Sequence, residues 1–326
     1  MTITLGARKR SLFVLMAAVV LLSITSCATK QQADKRDSVY LFTSFHDADQ
    51  KYLRFLWSED GYHWTNVPGT FMEANVGEAK QLRDPSLTRG PDGTFHLVWT
   101  TGWHDSKGFG YASSKDLVHW SDQKFIPVMA GEPTTVNVWA PELFYDELDN
   151  QFIIVWASTI PGRFPDFTES HTNNHRLYFT TTRDFEAFSP PQLFLDPHFS
   201  VIDGFILRDS DRYVLLCKDN SRPNLRLRVA FGATSLGPWN GMSEPITQRY
   251  TEGPCALNIG GNWIIYFDAY RDKRYGAIKT RDFKTFTDIT AQTSFPEGHK
   301  HGTALKVPRD ILDGLLKGNA STPNYL

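Results

Sequence analysis

Five residues able to give or take a proton recur along the chain: Asp84, Glu142, Asp203, Glu252 and His301, separated by 58, 61, 49 and 49 residues. Each belongs to a short polar turn segment: Arg83-Asp84-Pro85, Ala140-Pro141-Glu142, Ile202-Asp203-Gly204, Glu252-Gly253-Pro254 and His301-Gly302-Thr303. Singly these are ordinary turn signals, since Asp before Pro starts turns and Glu-Gly-Pro makes a loop. Gathered in one place, four carboxyls and an imidazole perturb one another. Some carboxyls then hold a proton where others are ionised, which is the condition for a general acid and a general base to coexist.

Such a gathering requires repeating elements. After Ser38 there is almost no sustained helical periodicity, only short β-branched and aromatic runs such as Val39–Phe45, Phe95–Thr101, Phe152–Ala157, Tyr213–Cys217 and Trp263–Phe267. These have the length and composition of strands. Ser58-Glu-Asp-Gly-Tyr-His-Trp64, Ser114-Lys-Asp-Leu-Val-His-Trp120, Thr182-Arg-Asp-Phe-Glu-Ala-Phe188 and Thr280-Arg-Asp-Phe-Lys-Thr-Phe286 share one pattern, and Ser235-Leu-Gly-Pro-Trp239 is a shortened copy. Their aromatic ends are 56, 68, 51 and 47 residues apart. A period of about fifty with several strands in each repeat indicates propeller blades. The first repeat lacks a head and an inner strand, while the last head at His301 has nothing to follow it. The pattern therefore predicts an all-β, five-bladed β-propeller whose C-terminal strand joins the N-terminal blade as its innermost strand, hiding exposed edges. The five heads then line one mouth of the central channel.

Composition narrows the classes. The 34 Lys+Arg against 36 Asp+Glu leave no basic excess, which excludes a phosphate-tracking nucleic-acid binder. An aromatic content of 13% excludes a disordered chain. Three cysteines are too few for a disulfide framework or zinc ribbon; Cys217 and Cys255 read as buried thiols.

The N-terminus reads as an address. Arg8, Lys9 and Arg10 precede an apolar run, Ser11 to Leu22, that is too short to span a bilayer and has the length of a signal-peptide core. Ile24-Thr25-Ser26-Cys27 resembles a bacterial lipobox, in which the cysteine is acylated and becomes the mature N-terminus. The expected organisation is a lipoprotein signal at 1–27, a tether at 28–37 and one catalytic propeller domain at 38–326. Cys27 would anchor the chain to the outer membrane of a bacterial envelope, on the periplasmic face since no dense acidic run follows it.

Arg83-Asp84-Pro85-Ser86, Trp139-Ala140-Pro141-Glu142, Ile202-Asp203-Gly204-Phe205 and Thr251-Glu252-Gly253-Pro254, in that order, resemble the strand-head motifs of glycoside hydrolase family 43. The resemblance runs from about Val39 to Val307. It implies a five-bladed propeller that hydrolyses glycosidic bonds with inversion, Asp84 being the general base, Glu252 the general acid and Asp203 the carboxylate that tunes and orients the acid. Asp203 beside Glu252 is expected to raise the pKa of Glu252 and keep it protonated. His301 resembles the family's channel histidine, which implies a structural calcium reached through water; no cofactor is required. Glu142 and Gly204 depart from the family's usual residues in the sugar pocket.

If inner strands start at the mouth, second strands return to it, so Phe45-His46, Trp103-His104, Ser158-Thr159, Lys218-Asp219 and Tyr270-Arg271 should share the face with the acids. Arg83, Trp103, Trp139, Glu142, Phe45 and Arg271 are the expected substrate-binding residues, with Trp103 and Phe45 as sugar-stacking platforms. The insert from Ile160 to His175 should form a loop at this mouth. The expected activity is exo-acting release of terminal furanose or pentose residues from polysaccharide side chains by a monomer, foremost as an α-L-arabinofuranosidase. A β-D-galactofuranosidase or β-xylosidase is the alternative within the class, and a non-catalytic glycan-binding lipoprotein the alternative outside it.

Overall fold

The computed structural model describes residues 37–165, 170 and 172–318. The expected signal with Cys27, and nearly all of the expected tether, lie outside the described residues. No helix among the described residues is long and apolar enough to cross a membrane.

The chain forms a five-bladed β-propeller. Blade 1 holds β1 (Ser38–His46), β2 (Asp49–Ser58) and β3 (Thr65–Glu73). Blade 2 holds β4 (Arg83–Arg89), β5 (Phe95–Thr100), β6 (Phe109–Ser114) and β7 (Lys124–Ile126), and blade 3 β8 (Trp139–Asp146), β9 (Gln151–Ser158), β10 (Arg176–Thr182) and β11 (Gln192–Leu195). Blade 4 holds β12 (Val201–Asp209), β13 (Arg212–Asp219) and β14 (Arg226–Gly232), and blade 5 β15 (Glu252–Ile259), β16 (Asn262–Ala269), β17 (Arg274–Thr280) and β18 (Thr287–Asp288). The ring closes as the repeat count requires. β19 (Ala304–Pro308) pairs antiparallel with β1, Val39 opposite Val307 and Phe42 opposite Ala304, and so becomes the innermost strand of blade 1.

Blade 4 has three strands rather than four. The segment after β14 runs beside it and bonds to it, Ser243 N–H to Val229 O and Ile246 N–H to Leu227 O. Pro238 and Pro245 supply no N–H there, which prevents a continuous ladder.

Each Ser/Thr-x-Asp segment is a turn written in local hydrogen bonds. The Ser114 hydroxyl accepts from Leu117 N–H at 2.8 Å, and Asp116 Oδ1 accepts from Val118 and His119 N–H at 2.9 and 2.8 Å. The same bonds recur around Ser58/Asp60, Thr182/Asp184 and Thr280/Asp282. The fourth residue of each takes a left-handed conformation: Gly61, Leu117, Phe185 and Phe283, at φ of +75°, +63°, +59° and +55°. The last three bury their side chains fully, which offsets the backbone strain.

The second strands are the most deeply buried, because neighbouring blades cover both faces. Each Phe or Leu so enclosed contributes about 1.5–3 kcal/mol of burial. Cys217 and Cys255 are buried free thiols, as expected.

The chain does continue past the last head. Helix α1 (Arg309–Gly318) buries Ile311, Leu312 and Leu315 against the apolar cluster between blades 1 and 2, so the described C-terminal residues add a helix to the propeller. Its apolar positions, i, i+1 and i+4, were a legible amphipathic signal.

Candidate active site

The inner strand of each of blades 2 to 5 begins with the same irregularity. Pairing with the second strand shifts register between Arg83 and Ser86, Trp139 and Glu142, Ile202 and Phe205, and Glu252 and Cys255. Within each bulge one residue is left-handed: Asp84, Ala140, Asp203 and Gly253, at φ of +50°, +44°, +54° and +57°. Bulges re-aim side chains at sheet ends. The acids are consequently not in equal phase: Asp84 and Asp203 occupy the bulge, Glu252 precedes it by one residue and Glu142 follows it by two. Gly253 is required where it stands, because a Cβ there would lie 2.1 Å from His301 Cβ.

Asp84, Asp203, Glu252 and His301 converge on one cavity of about 730 Å³ at the channel mouth. Asp84 is buried; its Oδ1 lies 2.7 Å from His301 Nε2 and its Oδ2 accepts the Thr100 hydroxyl at 2.7 Å. Burial, the largest single influence, would raise its pKa, but the charge and hydrogen bond of His301 together with Arg83 and Thr100 outweigh it and hold the carboxyl at about 2. Burial likewise works against a charged His301, yet Asp84, aided by Asp203 and Glu252, raises it to about 10. Asp84 is thus an ionised carboxylate at neutral pH, the state a general base needs.

On the far side Asp203 Oδ2 accepts Gly253 N–H at 3.0 Å, which sets it beside Glu252. Burial and the Glu252 charge raise the Asp203 carboxyl, against the pull of His301. Glu252 moves the other way: although burial would raise it, Lys218 Nζ at 2.7 Å from Oε2 pulls it down. The expectation that Asp203 lifts Glu252 is therefore corrected. The buried Lys218 ammonium favours charge on Glu252, while the Glu252 charge favours the protonated form of Asp203.

Glu142 does not line the cavity. It faces a chamber of about 20 Å³ deeper in the channel, shared with Asp84, Asp203 and His301. Burial raises it to about 8, against the lowering effect of the Ser86 and Thr303 hydroxyls. Its assignment to substrate is corrected to a channel position.

Of the expected binding residues, Arg83, Trp103, Trp139 and Arg271 do line the cavity. Phe45 does not; it is fully buried and supports the wall instead, with the Arg83 guanidinium 4.8 Å from its ring and 4.8 Å from that of Trp103. Trp103 is 47% exposed, the open platform of the pair. Trp139 lies 4.7 Å from Trp103, donates its indole N–H to Trp103 O at 2.7 Å, and stacks on His175 at 4.8 Å. The described part of the insert reaches the mouth through Ser170, Thr172, Asn173 and His175. Among strand exits, Lys218, Tyr270 and Arg271 meet the cavity, whereas Ser158 and Thr159 are buried against Asn137. Sequence reasoning missed Arg249 and Tyr250, whose only signal was adjacency to the Glu252 head.

A calcium in the channel would have to be held through water beside His301 and Glu142, which face the deeper chamber. Among the described residues no group of three or more His, Cys, Asp and Glu side chains is placed to hold a metal ion.

A propeller with paired carboxyls at one channel mouth defines a class that comparison makes specific. Residues 37–313 match the glycoside hydrolase 43-related family, described as a probable glycosyl hydrolase domain, and the chain belongs to that family. An α-L-arabinofuranosidase of Bifidobacterium longum subsp. longum is 23% identical over 176 residues, 48% of this chain and 16% of that protein. The chain thus spans under a fifth of that relative's length. A thermostable family-43 glycoside hydrolase superposes with a TM-score of 0.53 at 16% identity, over 68% of this chain and 78% of the other. The α-L-arabinofuranosidase of Lactobacillus brevis gives a TM-score of 0.50 at 16% identity, over 64% and 72%. These likenesses establish the propeller fold.

Proposed function

We propose that the chain is an inverting, exo-acting glycosidase that releases a terminal furanose or pentose, foremost an α-L-arabinofuranose. One observation carries this reading: carboxyls with opposite protonation preferences face one sugar-sized cavity, Asp84 pushed down and Asp203 pushed up. Asp84 accepts a proton from a water attacking the anomeric carbon, while Glu252 donates one to the departing oxygen as the glycosidic bond breaks. Asp203, bonded to the backbone beside Glu252 and with its carboxyl pushed up, tunes and orients the acid. A bound glycan that draws Lys218 onto its hydroxyls relieves the ion pair and lets the proton pass to Glu252. Belonging to the family and the exposed Trp103 platform support a carbohydrate substrate; β-D-galactofuranosidase and β-xylosidase are the alternatives among sugars.

The Glu252–Lys218 ion pair favours a second reading, a non-catalytic glycan-binding lipoprotein, because it disfavours the protonated acid. We propose further that the protein is monomeric and anchored through Cys27 to the periplasmic face of the outer membrane. A Cys27→Ser variant found in the soluble envelope fraction supports the anchor, and one still retained on the membrane contradicts it.

The test of activity is a panel of aryl glycosides with the wild-type protein and Glu252→Gln. Turnover of arabinofuranosides by the wild type is expected. In the variant, the loss should be large for poor leaving groups and small for strongly acidic phenols, which need no proton. Glycan binding without sugar release would establish the second reading instead.

A further inference from the structure

We infer that the side of the cavity next to Glu252 receives an anionic sugar unit, one bearing a carboxylate or sulfate, as part of the leaving group. This rests on the glycosidase reading above. Arg249 and Arg271 are exposed on the cavity wall, with guanidiniums 5.0 and 5.1 Å from the centroid of the same Tyr250 ring. Of the other cations around the cavity, Arg83 pairs with Asp47, Lys218 with Glu252 and His301 with Asp84, while Arg222 lines the wall from the connection between β13 and β14. Arg249 and Arg271 pair with no carboxylate among the described residues. The acid next in sequence, Asp272, accepts from Gln248 at 3.1 Å and pairs with Arg274, so it ties the two arginine-bearing segments together without neutralising either arginine.

The wall is organised before any ligand arrives. Tyr250 holds a left-handed backbone at φ +67°, a costly conformation for a bulky side chain and one that clusters at functional sites. Its ring meets Tyr270 edge-on at 5.9 Å, and the Tyr270 ring in turn lies 5.0 Å from Lys218 Nζ. Cation and aromatic groups therefore alternate from the rim down to the ion pair on Glu252.

Position says which part of the substrate is anionic. Arg249 lies three residues before Glu252, and Arg271 follows β16, whose Asp268 is opposite Glu252 in register. Arg249 stands on the connection leading into the blade of the general acid and Arg271 on that blade itself, next to the acid that touches the leaving oxygen and not on the blade of Asp84. A planar guanidinium binds a carboxylate or sulfate through paired charge-assisted hydrogen bonds, whereas neutral hydroxyls do not call for two unneutralised cations on one ring.

The test uses matched oligosaccharides carrying the same scissile sugar on a uronate unit, on its carboxyl-reduced neutral counterpart, and on a sulfated neutral unit. In the wild type, kcat/KM should favour at least one anionic substrate over the neutral one by about tenfold at low salt, shrinking towards equality near 1 M salt as exposed charges are screened. The better of the two identifies the anion. In Arg249→Gln and Arg271→Gln that ratio should fall by about threefold or more in each. Equal rates on all three substrates, or a preference indifferent to salt and to both variants, overturns the inference. If nothing is hydrolysed, calorimetric binding of the same oligosaccharides decides: tighter binding of the anionic members sustains the charged wall and removes only the glycosidase reading, and equal binding removes both.

Discussion

Two sets of aspartates punctuate this propeller, and on the surface of the chemistry they look alike. Asp60 and Asp116 close turns after outer strands, each paired with a histidine three residues on, at 2.7 and 2.8 Å. Asp84 at the channel mouth is also paired with a histidine at 2.7 Å. In all three the carboxyl is held at about 2, with burial opposing and hydrogen bonds or charge prevailing. A low pKa therefore does not tell a turn from a site. What differs is where the partners come from. Asp60 and Asp116 are satisfied within their own turn, and their side chains stay half-exposed. Asp84 is satisfied by Thr100 of the next strand and by His301 from the other end of the chain, in a buried place facing a cavity. Local partners build structure; partners from several blades build a site.

The sharpest way to break this comparison is to neutralise one aspartate of each kind. Asp84→Asn should lower kcat by on the order of 10²–10⁴-fold on aryl glycosides while circular dichroism and thermal melting show a folded chain. Near-wild-type turnover would place the base elsewhere.

Glu142→Gln tests whether the deeper carboxyl is a burden and not a tool. A carboxyl raised from the ordinary 4.5 to about 8 binds its proton more tightly folded than unfolded, so stability falls as pH climbs through that window. His301, raised from 6.5 to about 10, adds a loss in the same direction, its contribution being complete below 6.5 and gone above about 10. The variant should be more stable than wild type at pH 8 by up to about 4 kcal/mol and close to it near pH 4. Urea unfolding at the two pH values measures this, and an unchanged pH slope would refute it.

Lys218→Met removes the charge that pulls Glu252 down. The alkaline limb of the kcat/KM profile should move up by roughly one pH unit. A limb that stays put would remove Lys218 from control of the acid. The smallest effect belongs to the turns: Asp116→Asn should cost about 1 kcal/mol of stability, read by denaturant, with kcat/KM unchanged. A loss of activity there would erase the distinction between the two sets.

Much of this architecture was legible because blades repeat. The Ser/Thr-x-Asp turns depend on bonds spanning two or three residues, and ring closure followed from an unmatched head and an unmatched first blade. The candidate trio Asp84, Asp203 and Glu252 could be named because their turn segments resemble a family's motifs. Phe45 was misplaced because alternation along a strand cannot say which face a neighbouring blade covers. Glu142 was misplaced because the bulge shifts phase by residues that no periodicity records. Arg249 and Tyr250 lay in a segment without strand or motif.

The sequence by itself determined the repeat, its five-fold count, the turn chemistry and which carboxyls stand at strand heads, since all of these rest on hydrogen bonds and apolar patterns local to each blade. Only the tertiary structure decided where protons reside. Lys218 of blade 4 meets Glu252 of blade 5, and His301 of the closing segment meets Asp84 of blade 2. Charge interactions depend on distance and burial, and both are set by how the ring closes.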